Sequence, residues 1–198
     1  MIAPVFAGAK DFSEGLAAVC AGRSEEFKCG YVNHTGDIVI SPRFDNANSF
    51  CEGLAAVAYF FRSEDGKSVT EKAGFIDKGG KFVIPAKFES VGDFSEGRAS
   101  AALKLGNWGF IDKSGAYVIP PKFSEAHVFS DGVALVWSDD QLSGYYIDHA
   151  GRKALSPKLY PLWSFSDGLT VAGDDGNRKY IDRKGKIVAA YEVDPRLW

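Results

Sequence analysis

Asn107-Trp108-Gly109-Phe110-Ile111-Asp112-Lys113-Ser114-Gly115, followed by Tyr117-Val118-Ile119-Pro120-Pro121-Lys122-Phe123, is the stretch that decides the fold. It holds two short runs rich in aromatic and β-branched residues, separated by Asp-x-x-Gly. Such runs read as strands. In the first, Phe110 and Ile111 point to opposite faces, so both faces carry an apolar side chain. Asp112 can hydrogen-bond its own turn backbone, and Gly115 can take the positive φ the turn needs. The stretch is therefore a β-hairpin.

The pattern is repeated along the chain. Aromatic, β-branched residue, Asp or Asn, and a later Gly recur as Tyr31-Val32-Asn33 with Gly36, Phe75-Ile76-Asp77 with Gly80, Tyr146-Ile147-Asp148 with Gly151, and Tyr180-Ile181-Asp182 with Gly185. A second signature, aromatic-x-acid-Gly, occurs as Phe12-Ser13-Glu14-Gly15, Phe50-Cys51-Glu52-Gly53, Phe94-Ser95-Glu96-Gly97, Phe129-Ser130-Asp131-Gly132 and Phe165-Ser166-Asp167-Gly168. Six positions before each of these phenylalanines stands an apolar opener: Phe6, Phe44, Phe88, Phe123 and Leu159. After each acid-Gly turn comes a further run, Leu16 to Val19, Leu54 to Val57, Arg98 to Ala101, Val133 to Val136 and Leu169 to Ala172. It is apolar on both faces, as a doubly buried strand is. Its second residue is always small (Ala17, Ala55, Ala99, Ala134, Thr170), which lets neighbouring layers approach closely.

These columns resemble the WG repeat family, also called KWG repeats, in five tandem copies over approximately 4–41, 42–84, 85–119, 120–155 and 156–193. The third copy carries the full motif. Elsewhere the Trp position holds Cys29, Ala73, Gly144 and Arg178. The Gly is kept as Gly30 and Gly74 but replaced by Tyr145 and Lys179. The last copy also lacks the proline and phenylalanine of its exit strand, as a capping repeat would. The resemblance implies a bacterial repeat protein, with scaffold, effector and immunity-type or regulatory partner of an effector all open as roles.

The expected fold is thus all-β, a single repeat domain over 1–198 with about three antiparallel strands per copy. One unit cannot bury two apolar faces alone, but stacked units can. Both an open, solenoid-like array and a closed β-propeller achieve this. Propeller blades normally need four strands, so a count of three favours the open array.

Composition agrees with a soluble globular chain: 45% hydrophobic and 25% charged residues argue against disorder. The 22 glycines and 14% aromatics suit short strands and tight turns. A net charge of −3 supplies no basic footprint for nucleic acid. No apolar run is long enough to insert into a membrane. No leader segment is visible, so with Met1 native the chain is expected in the cytoplasm. Cys20, Cys29 and Cys51 do not read as a disulfide framework; Cys20 and Cys29 flank the loop between the first two strands of copy one and could lie opposite each other, but free thiols are the favoured expectation.

No catalytic residue, metal ligand or cofactor is assigned. A catalytic carboxylate should occur once, whereas Glu14, Glu52, Glu96, Asp131 and Asp167 occur in every copy and read as turn acids bonding backbone amides. His34 and His149 share a turn column with Lys78, Lys113 and Arg183 and read as solvated; only His127 stands outside a column. Cys20, Cys29 and His34 lack the paired spacing of structural zinc. Asp174-Asp175-Gly176-Asn177 reads as a turn and not a calcium loop, because the downstream glutamate is missing. No nucleophile elbow or phosphate-binding glycine loop is present.

Function is expected where the columns break. The loop after the first strand is short in copy three, Lys104-Leu105-Gly106-Asn107, and long in copy two, Ala58 to Ala73. The long loop brings Tyr59, Phe60 and Phe61 together with Arg62, Glu64, Asp65 and Lys67, an apolar anchor with a polar rim. Trp137 follows the equivalent strand of copy four, and the short loop of copy three would leave a gap between the two. The expected role is non-enzymatic binding of another protein on this loop edge. Glycan or cell-wall binding is the alternative, with Tyr59, Phe60, Phe61, Trp137, Trp163 and Trp198 available to stack on sugars. A competing structural reading has Tyr59 to Phe61 extending the strand and packing on a neighbouring copy.

Overall fold

The computed structural model of the chain describes residues 6–22, 27–138, 144–155, 161, 163–174 and 177–192. Leu159, Trp198 and the Asp175-Gly176 turn lie outside them. The described residues form no helix, hence none long and apolar enough to cross a membrane. They form nineteen strands in five antiparallel sheets, one per copy.

The first sheet orders β1 (Gly8–Ala9), β2 (Leu16–Ala21), β3 (Lys28–Asn33) and β4 (Ile38–Phe44) as a simple meander. The second repeats it with β5 (Asn46–Ala47), β6 (Ala55–Arg62), β7 (Val69–Ile76) and β8 (Phe82–Phe88). In the third stand β9 (Ser90–Val91), β10 (Ala99–Ala102), β11 (Trp108–Ile111) and β12 (Tyr117–Phe123). The fourth holds β13 (Glu125–Ser130), β14 (Val133–Trp137), β15 (Tyr145–Asp148) and β16 (Lys153–Leu155). In the fifth, β17 (Leu169–Asp174), β18 (Asn177–Asp182) and β19 (Ile187–Glu192) are joined by a single bridge from Pro161 to Ala172.

Each of the first four units therefore has a leading strand beyond the three expected, two residues long in the first three units and six in the fourth. It forms because the chain, on leaving one sheet, passes close to the first long strand of the next; Asp45 N–H donates to the Ala58 carbonyl at 2.9 Å. Four strands are also what a propeller blade uses, so strand number does not separate open from closed. Each major cluster of buried side chains joins two sheets adjacent in sequence, and among the described residues no core cluster or ring contact links the fifth sheet back to the first. The sheets form an open tandem array, none closed into a barrel. The openers Phe44, Phe88 and Phe123 end the last strand of the preceding sheet, buried where two sheets meet.

The acid-Gly turns are two-residue hairpins. Glu14 and Gly15 have φ of 52° and 91°, both positive as a type I′ turn demands, and the other four copies agree. Positive φ is uncommon for glutamate, and a contact between copies compensates it. The Glu14 carboxylate accepts the Gly53 N–H at 3.1 Å, Glu52 that of Gly97 at 3.1 Å, Glu96 that of Gly132 at 3.0 Å, and Asp131 that of Gly168 at 2.8 Å. Each of these turn acids thus bonds a backbone amide, as expected, but the amide belongs to the next sheet. In the basic turn column His34, Lys78, Lys113 and Arg183 are exposed and His149 is half-buried, and three of these side chains also reach a turn acid. Lys78 pairs with Glu14 at 3.1 Å, Lys113 with Glu52 at 3.2 Å and His149 with Glu96 at 3.0 Å. Burial alone would raise the Glu14 carboxyl, but Lys78 and the Gly53 amide hold it below the ordinary glutamate value.

The glycine of the WG column has a steric cause. A Cβ on Gly74 would stand 2.5 Å from the Ile84 carbonyl oxygen, and one on Gly109 2.5 Å from that of Ile119. The last strand bulges across the glycine there, with register shifts between Ala73 and Phe75 and between Trp108 and Phe110. Where Lys179 replaces the glycine, β19 runs in register past that point, Lys179 opposite Ala190.

Cys20 and Cys29 correct a further expectation. The register of β2 and β3 sets them directly opposite each other, with Cα atoms 4.0 Å apart, and they form a disulfide instead of free thiols. Cys51 remains free.

Candidate functional site

The long insertion of copy two is an extension of the β6–β7 hairpin. Phe60 faces Glu71, Phe61 faces Thr70 and Arg62 faces Val69 across the two strands. Alternation divides the three consecutive aromatics between opposite faces. Tyr59 packs against Phe44 and Phe82, with ring centroids 5.7 and 6.3 Å away, so it belongs to the scaffold. Phe60 and Phe61 stay 46% and 55% exposed. The expected strand extension is present, but of the three aromatics only Tyr59 packs inward, on Phe44 at the end of the preceding sheet and on Phe82 of its own.

On the Phe60 face lies a cleft of about 350 Å³, lined by Phe60, Val69, Thr70 and Glu71 of the hairpin and by Glu89, Ser90 and Leu105 of the third unit. Leu105, 64% exposed, stands in the short loop of copy three and forms the facing wall. It is held there because its N–H donates to the Glu89 carboxylate at 3.0 Å. Asp45, one copy earlier, does the same for the Phe60 N–H at 2.9 Å and is ion-paired to Lys28. An acid just after the opener thus pins both walls of the cleft. Burial raises the Glu71 carboxyl above its ordinary value.

Of the other residues read as a polar rim, Asp65 shapes the hairpin tip. It accepts from the Ser63 hydroxyl at 2.6 Å and from the Lys67 N–H at 3.1 Å, and these bonds lower its pKa. Glu64, Lys67 and Arg62 are exposed along the same tip. Trp137 takes no part in lining the cleft. It is half-buried on the fourth sheet with its ring 5.3 Å from that of His127, and it covers Gly144. Val69, Glu71, Glu89 and Leu105 were not anticipated. A leucine in an otherwise polar four-residue loop was the one sequence signal available for them.

Four stretches of the chain, residues 1–22, 30–59, 74–103 and 108–136, match the family described as WG containing repeat. No curated protein matches the chain. The later matches begin at Gly30 and Gly74, in the column over which the bulged strand crosses, and at Trp108, one residue before Gly109 of that column; none begins at the copies that replace this glycine. With more than half of its residues matched and the motif glycines explained by the strand crossing, the chain belongs to the WG repeat family.

Proposed function

We propose that this chain is a non-enzymatic protein-interaction module whose partner docks in the cleft between the β6–β7 hairpin and Leu105. The observation that carries this is the facing of Phe60, Val69 and Leu105, all solvent-exposed, across one cleft whose lining also includes Glu71 and Glu89. Large apolar side chains converging at a concave site mark binding surfaces. The carboxylates favour a partner segment with an apolar side chain next to a lysine or arginine. A sugar site would stack its ligand on flat rings, and this cleft offers Phe60 as its one aromatic ring, so a protein is favoured over a glycan.

The test is to compare what wild type, Phe60→Ser and Leu105→Ser retain by affinity capture, alongside their melting curves. Both changes are at exposed positions and should leave stability within about 0.5 kcal/mol. A partner held by wild type should bind each variant roughly tenfold more weakly or worse. Equal retention by all three proteins overturns the assignment.

A further inference from the structure

The two ends of the array carry matching, unfilled halves of the joint that links the interior sheets. Four kinds of contact recur at the interior joints. An aromatic from the earlier sheet packs on the turn phenylalanine of the later one: Tyr31 on Phe50, Phe75 on Phe94, Phe110 on Phe129 and Tyr146 on Phe165, at 4.8–4.9 Å between centroids. The turn acid accepts the next turn glycine's N–H. A basic residue of the later hairpin reaches that acid at three of the joints. At two of the joints the serine before the acid donates its hydroxyl to the next turn's phenylalanine carbonyl, Ser13 to Phe50 at 2.6 Å and Ser95 to Phe129 at 2.7 Å.

On the fifth sheet the corresponding residues are Tyr180, Asp167 and Ser166, and all are exposed; Tyr180 is 45% exposed where Tyr146 is fully buried. On the first sheet they are Phe12, the Gly15 amide and His34. Phe12 is 47% exposed where Phe50 and Phe129 are fully buried. Phe6 covers Ala17, Val19 and Val32 behind it, much as Phe44 closes the first interior joint. Each half has an interior precedent. The Phe12–His34 stack, 4.1 Å and 18°, has the arrangement of Phe129–His149 at 4.4 Å and 20°, whose histidine reaches Glu96. Tyrosine with aspartate is the combination the fourth sheet offers the fifth through Tyr146 and Asp131.

From this continuity we infer that the chain self-associates head to tail, the fifth sheet of one copy receiving the first sheet of a second copy. Tyr180 packs on Phe12, Asp167 accepts the Gly15 N–H and faces His34, and Ser166 donates to the Phe12 carbonyl. The contact uses different surfaces on the two copies, so association continues with concentration beyond a dimer unless the ring closes.

Sedimentation of the 198-residue chain over a broad concentration range is the test. Wild type should show a mass rising with concentration. Phe12→Asp and Tyr180→Asp should each be monomeric with near wild-type melting, while their mixture should form a one-to-one dimer that grows no further, since each variant keeps one intact end. Asp167→Arg, which touches no core aromatic, should also weaken association. Phe60→Ser should assemble like wild type, which separates this outcome from that of the cleft. A wild-type monomer at every concentration, a mixture that fails to dimerise, or assembly lost through Phe60→Ser instead of Phe12→Asp overturns the inference.

Discussion

Sheets three and five are built from the same columns, yet Phe110 in one is fully buried while Tyr180 in the other is 45% exposed. The difference lies in the neighbouring unit. Sheet three is sealed by Phe129 of sheet four, whereas among the described residues no turn phenylalanine packs on Tyr180. A capping repeat presents a polar outer face. Sheet five instead keeps Leu169 and Tyr180 on view. Burial in this molecule is thus a property of the joint between units, and the same side chain is core or surface according to its neighbour. Sheet three also has the glycine that lets its last strand cross, which sheet five lacks.

Truncation sharpens the contrast most. Phe110→Ala removes a ring from a sealed joint and should cost about 3–5 kcal/mol in chemical denaturation, whereas Tyr180→Ala, measured on dilute protein, should cost less than about 1 kcal/mol. Equal losses at the two sites would mean that the outer face of sheet five is covered in solution.

Next is the glycine column. Gly109→Val must displace the backbone at Ile119 and Pro121, 2.5 and 2.8 Å from the new Cβ, and should destabilise by about 3 kcal/mol. Lys179→Gly, where the strand runs in register, should cost only about 0.5–1 kcal/mol through chain entropy. If valine at 109 melted like wild type, the bulged crossing would not be what requires the glycine.

A smaller effect is expected at the Cys20–Cys29 disulfide, which closes a short loop in the first sheet. Cys20→Ala with Cys29→Ala should lower stability by about 2–3 kcal/mol under oxidising conditions and leave it unchanged relative to fully reduced wild type. A double variant as stable as the oxidised protein would show that the pair is unbridged in solution.

The smallest effect concerns the acid ladder. Because the Glu14 carboxyl is held below its ordinary value, its contribution is present above the unfolded pKa, near 4.3–4.5, and is lost as pH falls through the lower folded value. Glu14→Gln should therefore cost about 0.5–1 kcal/mol at neutral pH, and its difference from wild type should vanish in acid. A difference that grew in acid would reverse the sign and remove Lys78 and the Gly53 amide as the cause.

Much of this architecture could be read from residue columns. The aromatic, acid-Gly and Asp-x-x-Gly spacings are local, because a hairpin needs turn residues at fixed offsets and strands need alternation. They gave five units, the doubly buried first strand with its small residue, and the stretch of copy two that departs from the repeat. The candidate site was legible only in half. The sequence places Phe60 and Phe61 in an extension, but Phe60 meets Leu105 through the spacing of two separate sheets. The pinning acids Asp45 and Glu89 act on residues fifteen and sixteen positions away.

By itself the sequence determined the repeat family, the all-β class and the hairpin turns, since each rests on interactions within a few residues. Only the tertiary structure decided that the turn acids and basic residues form a ladder between units and that Cys20 meets Cys29. It also decided that Tyr59 is scaffold while Phe60 is surface, and that the two ends of the array match. Those outcomes depend on strand register and on how one sheet is set against the next, distances that no local spacing encodes.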